Sequence, residues 1–566
     1  MLFLKNIVKI TLQFIFVIIF IFFSTLEARN LDKYEKANYI SDYFSGVLLL
    51  NQSKYEESRE YLKKLNGLEN SHLAYSTKFL YSLVNSGNLY QAFNYSKKLE
   101  KNEQNSFESD LIIGVYYLKN LQLKLSKEYF LKAQKTPSNS ILNNYISSSL
   151  SIWSSLYNNN LVNSSLELEQ LDDRFKSLKE IQNVFLNCYF DNDKTEFLFE
   201  KLLTNQKTDF SRYNYFYANY LNDKGKSLKA KKVIEDALKK NPRNLLLNQY
   251  KEDLKESKKN FNFDCKKENH VISELLYLAA NALSSQSIIS LSNFYLNLAQ
   301  YLNEDFYGFD TLMAENFYKI NDFTTSKKIY EKLKSKGSAF KWYSHKQISR
   351  ILTQQEMENE SIILLQKAYD QLKYKGVYET FDYAEFLKNN EKFENSINYY
   401  SELLNLIDIN HPLYAEATDG RGVAYERLGE WKKAEKDLLN SLKAKPDQAY
   451  VMNYLAYSWI EKGIKIEESL KMLEKANNIK SNDPYILDSL GWALYKLKRF
   501  EESKNYLQLA VRLMPADPIV NDHYGDVLWK NGNEIQARYY WNYVLSLEKA
   551  EKDLKKKIEQ KLIKGL

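Results

Sequence analysis

The chain is poor in the residues that catalysis and cross-linking draw on. Its 566 residues include two cysteines, five histidines, seven prolines and sixteen glycines. Cys188 and Cys265 lie 77 positions apart and form no closely spaced pair, so they carry no zinc signature. If contacts reach only adjacent segments, the two thiols are expected to stay apart, even in a compartment that permits disulfides. His72, His270, His345, His411 and His523 are scattered, none with a second histidine within four residues, so a helix-borne metal pair is absent. There is no phosphate loop, no Gly-x-Ser-x-Gly and no His-Glu-x-x-His. Gly420-Arg421-Gly422 lacks the third glycine of a dinucleotide loop. No catalytic residue, metal or cofactor is expected.

Other scarcities narrow the fold and the partners. Few prolines suit a nearly all-helical chain, and no stretch alternates with period two for long enough to build a sheet. The net charge of +7 arises from lysine and glutamate mixed three or four apart, as on solvated helix faces. Nucleic-acid binding needs a clustered basic field, and none is written here. The one marked apolar run, Phe14 to Phe23, follows Lys5 and Lys9 and precedes Ser24-Thr25-Leu26-Glu27-Ala28. That order describes a secretory signal over residues 1–28 with cleavage after Ala28; a retained anchor is the alternative. The run is shorter than the roughly 20 residues a spanning helix wants. On either reading the remainder is exported, periplasmic or envelope-associated.

What is abundant is repetition. Gly422, Ala456, Gly491 and Gly525 recur at spacings of 34 and 35, each inside a helical pattern. A second small residue follows each, at Ala434, Ser469, Ser503 and Ala537, with Leu438, Leu473, Leu507 and Trp541 four further on. Glycine inside a helix costs about 1 kcal/mol against alanine, so its recurrence marks places where two helix backbones come close. Gly429, Gly463 and Gly532 close three of the four first helices, and Pro446 and Pro515 follow two of the second helices. The pattern resembles the tetratricopeptide repeat (TPR), two antiparallel helices per unit. The resemblance implies an all-α TPR solenoid, a right-handed superhelix of antiparallel helix pairs.

Weaker copies run upstream: Gly46 with Ser58, Gly114 with Ser126, Ala218 with Ala230, Ala314 with Ser326, Ser349 with Ser361 and Ala384 with Ser396. Residues 31–254 read as an N-terminal array, 255–269 as a polar linker and 270–410 as a middle array. Residues 411–547 form the strong block, and 548–566 an amphipathic capping helix through Leu554, Ile558 and Leu562. The phrases Asp488-Ser489-Leu490-Gly491-Trp492 and Asn521-Asp522-His523-Tyr524-Gly525-Asp526 resemble long secreted TPR proteins of alphaproteobacteria. That likeness implies an envelope-associated scaffold.

In such a solenoid the first helices line a concave groove, where a protein or peptide ligand lies. Here that face nominates Tyr450, Asn453, Tyr457, Tyr485, Asp488, Trp492, Tyr495, Asp522, Asp526 and Trp529. Aromatics anchor interfaces and carboxylates turn away acidic partners, so the groove suits a segment carrying lysine or arginine. Asp522 and Asp526 share a helix face as solvated carboxylates, while His523 points elsewhere. Asp419, Val423 and Asn453 do not reproduce the lysine–asparagine clamp for a peptide's terminal carboxylate. The expected role is a non-enzymatic adaptor in envelope assembly or secretion, with association to membrane or cell wall open to it. The alternative is a peptidoglycan- or carbohydrate-binding envelope protein.

Overall fold

A computed structural model describes residues 38–566 apart from 66, 71, 137–139, 206–207 and 257–261. The expected signal segment therefore lies outside the described residues, as does part of the polar linker. Among the described residues the secondary structure is helical throughout, without strands, and no helix is long and apolar enough to cross a membrane. The fold is an all-α TPR solenoid. It divides into two compact units, Met1–Ser361 and Ile362–Leu566. That division falls inside the 270–410 segment.

One contact recurs along the chain and explains the small-residue code. The hydroxyl of a serine on the second helix donates to a carbonyl twelve residues earlier on the first. Ser58 donates to Gly46 at 2.7 Å, Ser126 to Gly114 at 2.9 Å and Ser292 to Ala280 at 2.7 Å. Ser326 does so to Ala314 at 2.9 Å, Ser361 to Ser349 at 2.8 Å, Ser396 to Ala384 at 3.1 Å and Ser503 to Gly491 at 2.6 Å. All seven serines are buried, so each bond satisfies a hydroxyl that would otherwise be stranded. A Cβ on Gly491 would stand 2.6 Å from the Leu507 side chain and 3.3 Å from its backbone nitrogen. At Gly525 it would meet the Trp541 indole at 2.5 Å.

The first unit departs from a simple stack. Helix Ile289–Leu302 packs not only on its own partner Glu268–Ser285 but also on Leu73–Asn85 and Phe107–Lys119, far earlier in the chain. Asn293 donates to the Tyr55 hydroxyl at 3.0 Å, and Asn85 donates to the Ser290 carbonyl at 3.1 Å. The ring of Tyr81 meets that of Phe294 edge-on at 4.9 Å. The expectation that contacts reach only neighbouring units fails here, because the array turns back on itself within this unit.

The same return corrects the cysteine expectation. Cys188, on helix Lys176–Tyr189, is disulfide-bonded to Cys265, with Cα atoms 6.0 Å apart. The described end of the polar linker is no detached spacer. Phe263 is buried against Phe216 at 4.3 Å and Phe185 at 5.2 Å, and Tyr189 donates to Glu268 at 2.6 Å. Beside it Arg212 binds the buried Glu274 through two 2.8 Å hydrogen bonds while lying over the Tyr277 ring at 4.0 Å. Sequence separation concealed a short distance in space.

In the second unit nine helices matter below. They are α1 (Tyr414–Arg427), α2 (Trp431–Ala444), α3 (Ala449–Glu461) and α4 (Ile466–Ile479). Next come α5 (Pro484–Lys496), α6 (Phe500–Leu513), α7 (Pro518–Lys530), α8 (Glu534–Ser546) and α9 (Lys552–Lys564). In α1–α8 the odd-numbered helices open each repeat and the even-numbered ones close it, and α9 follows the last repeat. The spacing of 35 after Ala456 has a local cause: Lys465 adds a residue in the left-handed region, at φ 49°. Ser469 is thereby thirteen residues from Ala456 and bonds the Lys465 carbonyl instead. Helix α9 packs on α8, burying Ile558 in a core shared with Val527, Trp541 and Val544.

Two outcomes test these packing claims. Gly491→Val should lower the stability of the second unit by roughly 1–3 kcal/mol through overpacking, and Ser503→Ala by about 1 kcal/mol; thermal unfolding followed by circular dichroism reads both. The double change Cys188→Ser with Cys265→Ser should cost the first unit about 4 kcal/mol, given the long loop closed. Denaturant titrations with and without reductant should then superimpose for that variant and separate for the wild type.

Candidate functional site

The first-helix face of the second unit is fixed by how its helices begin. Asp483 caps α5 by accepting from the Tyr485 and Ile486 amides at 3.1 and 3.3 Å, with Pro484 as the first helical residue. Asp517 does the same for α7 through Ile519 and Val520 at 2.9 and 3.0 Å, followed by Pro518. Such caps satisfy orphan amides and set the helix phase. Residues four apart then share a face, which places Asp488 with Trp492 and Asp522 with Asp526.

Between successive first helices the carboxylates meet donors from the next helix along. Glu426 of α1 accepts from the Tyr454 hydroxyl of α3 at 2.8 Å. Glu461 at the end of α3 accepts from the Trp492 indole of α5 at 2.7 Å. Asp488 of α5 faces the His523 ring nitrogen of α7 at 3.0 and 3.1 Å. Asp522 and Asp526 of α7 take the Lys561 ammonium of α9, at 2.5 Å for the first and 2.7 and 2.8 Å for the second. Helix α9 thus supplies the donor that a following repeat would otherwise bring. Trp541 also donates to Asp526 at 3.0 Å.

These contacts overturn two expectations. Asp522 and Asp526 are buried ion-pair partners rather than solvated groove carboxylates, because α9 lies against them. His523 does not point elsewhere: it stacks on Trp492 at 3.9 Å, which in turn stacks on Tyr495 at 4.7 Å. Of the ten nominated residues, Asp488, Trp492, Asp522 and Asp526 are buried. Asn453, Tyr457, Tyr495 and Trp529 are half-buried, and Tyr450 and Tyr485 are exposed at 52% and 59%. Tyr457, Asp488 and Trp492 gather around His523, whose ring lies 6.4 Å from that of Tyr457, and Tyr495 joins them through Trp492. Trp529 lies apart, against Trp541 at 5.4 Å and beneath Arg538. Tyr450 donates to Asp483 at 2.9 Å, while the Asn453 side-chain carbonyl has no hydrogen-bond partner.

Sequence reasoning missed Glu426, Tyr454, Glu461 and Lys561. The donors hold no constant place in the repeat: Tyr454 and His523 stand two residues before the small residue of their helix, Trp492 one after. Only pairing the helices in space reveals them. Glu426, Arg427, Tyr454, Tyr457, Ser458, Glu461 and Lys462 also line a cleft of about 180 Å³ between α1 and α3. Among the described residues no group of three or more histidine, cysteine, aspartate or glutamate side chains is placed to hold a metal.

Residues 319–550 match a family model described as tetratricopeptide repeat. A TPR repeat-containing protein of Pseudomonas aeruginosa is 31% identical over 120 residues, covering 20% of this chain and 18% of that protein. The chain thus spans under a fifth of that relative's own length. MamA (41 to end) from Desulfovibrio magneticus RS-1 is similar at 18% identity and a TM-score of 0.27, over 31% of this chain and 97% of its own. YrrB, titled a TPR protein with an unusual peptide-binding site, is similar at 16% identity and a TM-score of 0.28, over 34% and 97%. The similarity to tetratricopeptide repeats is thus carried by residues 319–550.

The buried charges couple this region to pH. Burial alone would depress the His523 imidazole, but Asp488, Asp522 and Asp526 around it hold its pKa above the ordinary value. Burial and the neighbouring Asp522 push Asp526 up to about 6 despite Lys561. Both groups bind protons more tightly folded than unfolded. Their contributions are complete below the unfolded pKa values and fade as pH rises, through about 6 for Asp526 and through the elevated value for His523. The second unit should therefore melt at lower temperature at about pH 8 than at about pH 5.5. His523→Gln should flatten the upper part of that slope and Asp526→Asn the lower part, read as melting temperature against pH.

Proposed function

We propose that this protein is a non-enzymatic scaffold that holds a protein partner in the bacterial cell envelope, in assembly or secretion, on the first-helix face of its second unit. Tetratricopeptide repeats suggest a protein-binding scaffold. The observation that carries the reading is the disposition of that face. Its carboxylates are largely spent on latching one helix to the next, whereas Tyr450 and Tyr485 stand exposed on successive first helices, with half-buried Tyr457 about two turns on from Tyr450. Exposed tyrosines supply large contact area at low side-chain entropy cost.

Two features support export. The N-terminal order of lysines, apolar run and small residue suits a signal segment. The Cys188–Cys265 disulfide suits an oxidising compartment. Partner recovery from envelope extracts on the immobilised protein tests the reading. Tyr450→Ala with Tyr485→Ala should lower recovery at least tenfold with the melting temperature unchanged, since both side chains are exposed. Equal recovery by wild type and variant counts against this face, and sedimentation of the protein with purified cell wall would favour the carbohydrate alternative.

A further inference from the structure

The cleft between α1 and α3 has a chemistry of its own. Its walls include the rings of Tyr454 and Tyr457, and two carboxylates reach it from successive first helices, α1 and α3. Each carboxylate spends one oxygen internally: Glu426 Oε2 on the Tyr454 hydroxyl and Glu461 Oε1 on the Trp492 indole. The partner oxygens, Glu426 Oε1 and Glu461 Oε2, remain for an incoming donor. The rim cations are not aimed at them. Lys462 lies over the Trp431 ring at 5.0 Å, and Arg427 approaches only Glu426 Oε2, at 4.0 Å, with its side chain 60% exposed.

The surroundings deepen the negative field. The Tyr457 hydroxyl is raised above its ordinary pKa by burial and then by the charges of Glu461, Asp488, Asp522 and Asp517. The same layer of helices already shows how it takes a cation. At the far end, Lys561 places its ammonium between two carboxylates with an indole at 5.9 Å. The cleft also brings two acids beside two tyrosine rings that can take an alkyl stem, and neither Lys462 nor Arg427 bonds their remaining oxygens. Aliphatic stems pack on such apolar walls while the charged head reaches the acids.

We propose that this cleft is a subsite for one lysine or arginine side chain of the protein partner. The proposal rests on the first-helix face being the partner-binding surface. It specifies the partner's chemistry: a cationic side chain enters between Glu426 and Glu461, its stem against Tyr454 and Tyr457, with neighbouring partner residues on the exposed tyrosines.

The test uses the full chain and an end-blocked glycine–serine heptapeptide with one central lysine, against versions carrying Nε-acetyl-lysine or glutamate there. Binding is followed by tryptophan fluorescence, since the Trp492 indole sits on Glu461. The lysine peptide should bind saturably and both other peptides at least tenfold more weakly. Glu461→Gln keeps an acceptor for Trp492 but removes the charge, and should weaken the lysine peptide about tenfold, the loss of one charge-assisted hydrogen bond. Equal binding of the acetylated peptide, or no effect of Glu461→Gln, overturns the subsite. Partner recovery separates the two readings. If Glu461→Gln recovers the partner as well as wild type while Tyr450→Ala with Tyr485→Ala does not, the subsite is wrong and the scaffold reading stands. If wild type recovers no partner while the lysine peptide binds in a Glu461-dependent way, the scaffold reading is wrong and the cation subsite stands.

Discussion

The architecture depends on how closely two helix backbones approach within each hairpin. At that crossing there is room for hydrogen, a methyl or a hydroxyl, and little else. Where the second position is serine, its hydroxyl turns the closeness into a bond with the facing carbonyl, as Ser503 does with Gly491. Where it is alanine, as at Ala434 and Ala537, close packing alone suffices. Every larger feature follows from keeping that distance. In the second unit neighbouring first helices pack side by side, and whatever lies between them must be paired or filled.

Within that layer a second rule operates, written less regularly. Acids on one first helix meet a donor on the next: tyrosine on Glu426, tryptophan on Glu461, histidine on Asp488 and lysine on the pair at the end. Buried charges of this kind cost solvation, and the partners must restore it through hydrogen bonds. The donors are chemically diverse because the geometry asks only for an N–H or O–H in reach. That leaves the aromatic residues further out, and the cleft between α1 and α3 with its unspent carboxylate oxygens, as groups with capacity for another molecule.

Much of this was legible in the residues. The twelve-residue step between small positions, from Gly46 and Ser58 to Gly491 and Ser503, could be read before any coordinates, because a glycine inside a helix needs a reason. Contacts that join distant segments could not be read. Cys188 meets Cys265, and Asn85 meets Ser290, because an array that turns back on itself brings remote helices together, which no local pattern encodes. The burial of Asp522 and Asp526 escaped for the same reason: helical phase put them on the groove side, but only the position of α9 shows that Lys561 covers them.

The central claim is that the partner lies along the exposed edge of the first helices and not on the outer face of the second ones. A photo-crosslinking amino acid placed at Tyr485 on α5, or at the similarly exposed Tyr539 on α8, tests it most directly in intact cells. An adduct from position 485 with none from 539 is the predicted result. An adduct from 539 alone, or equally from both, would contradict it.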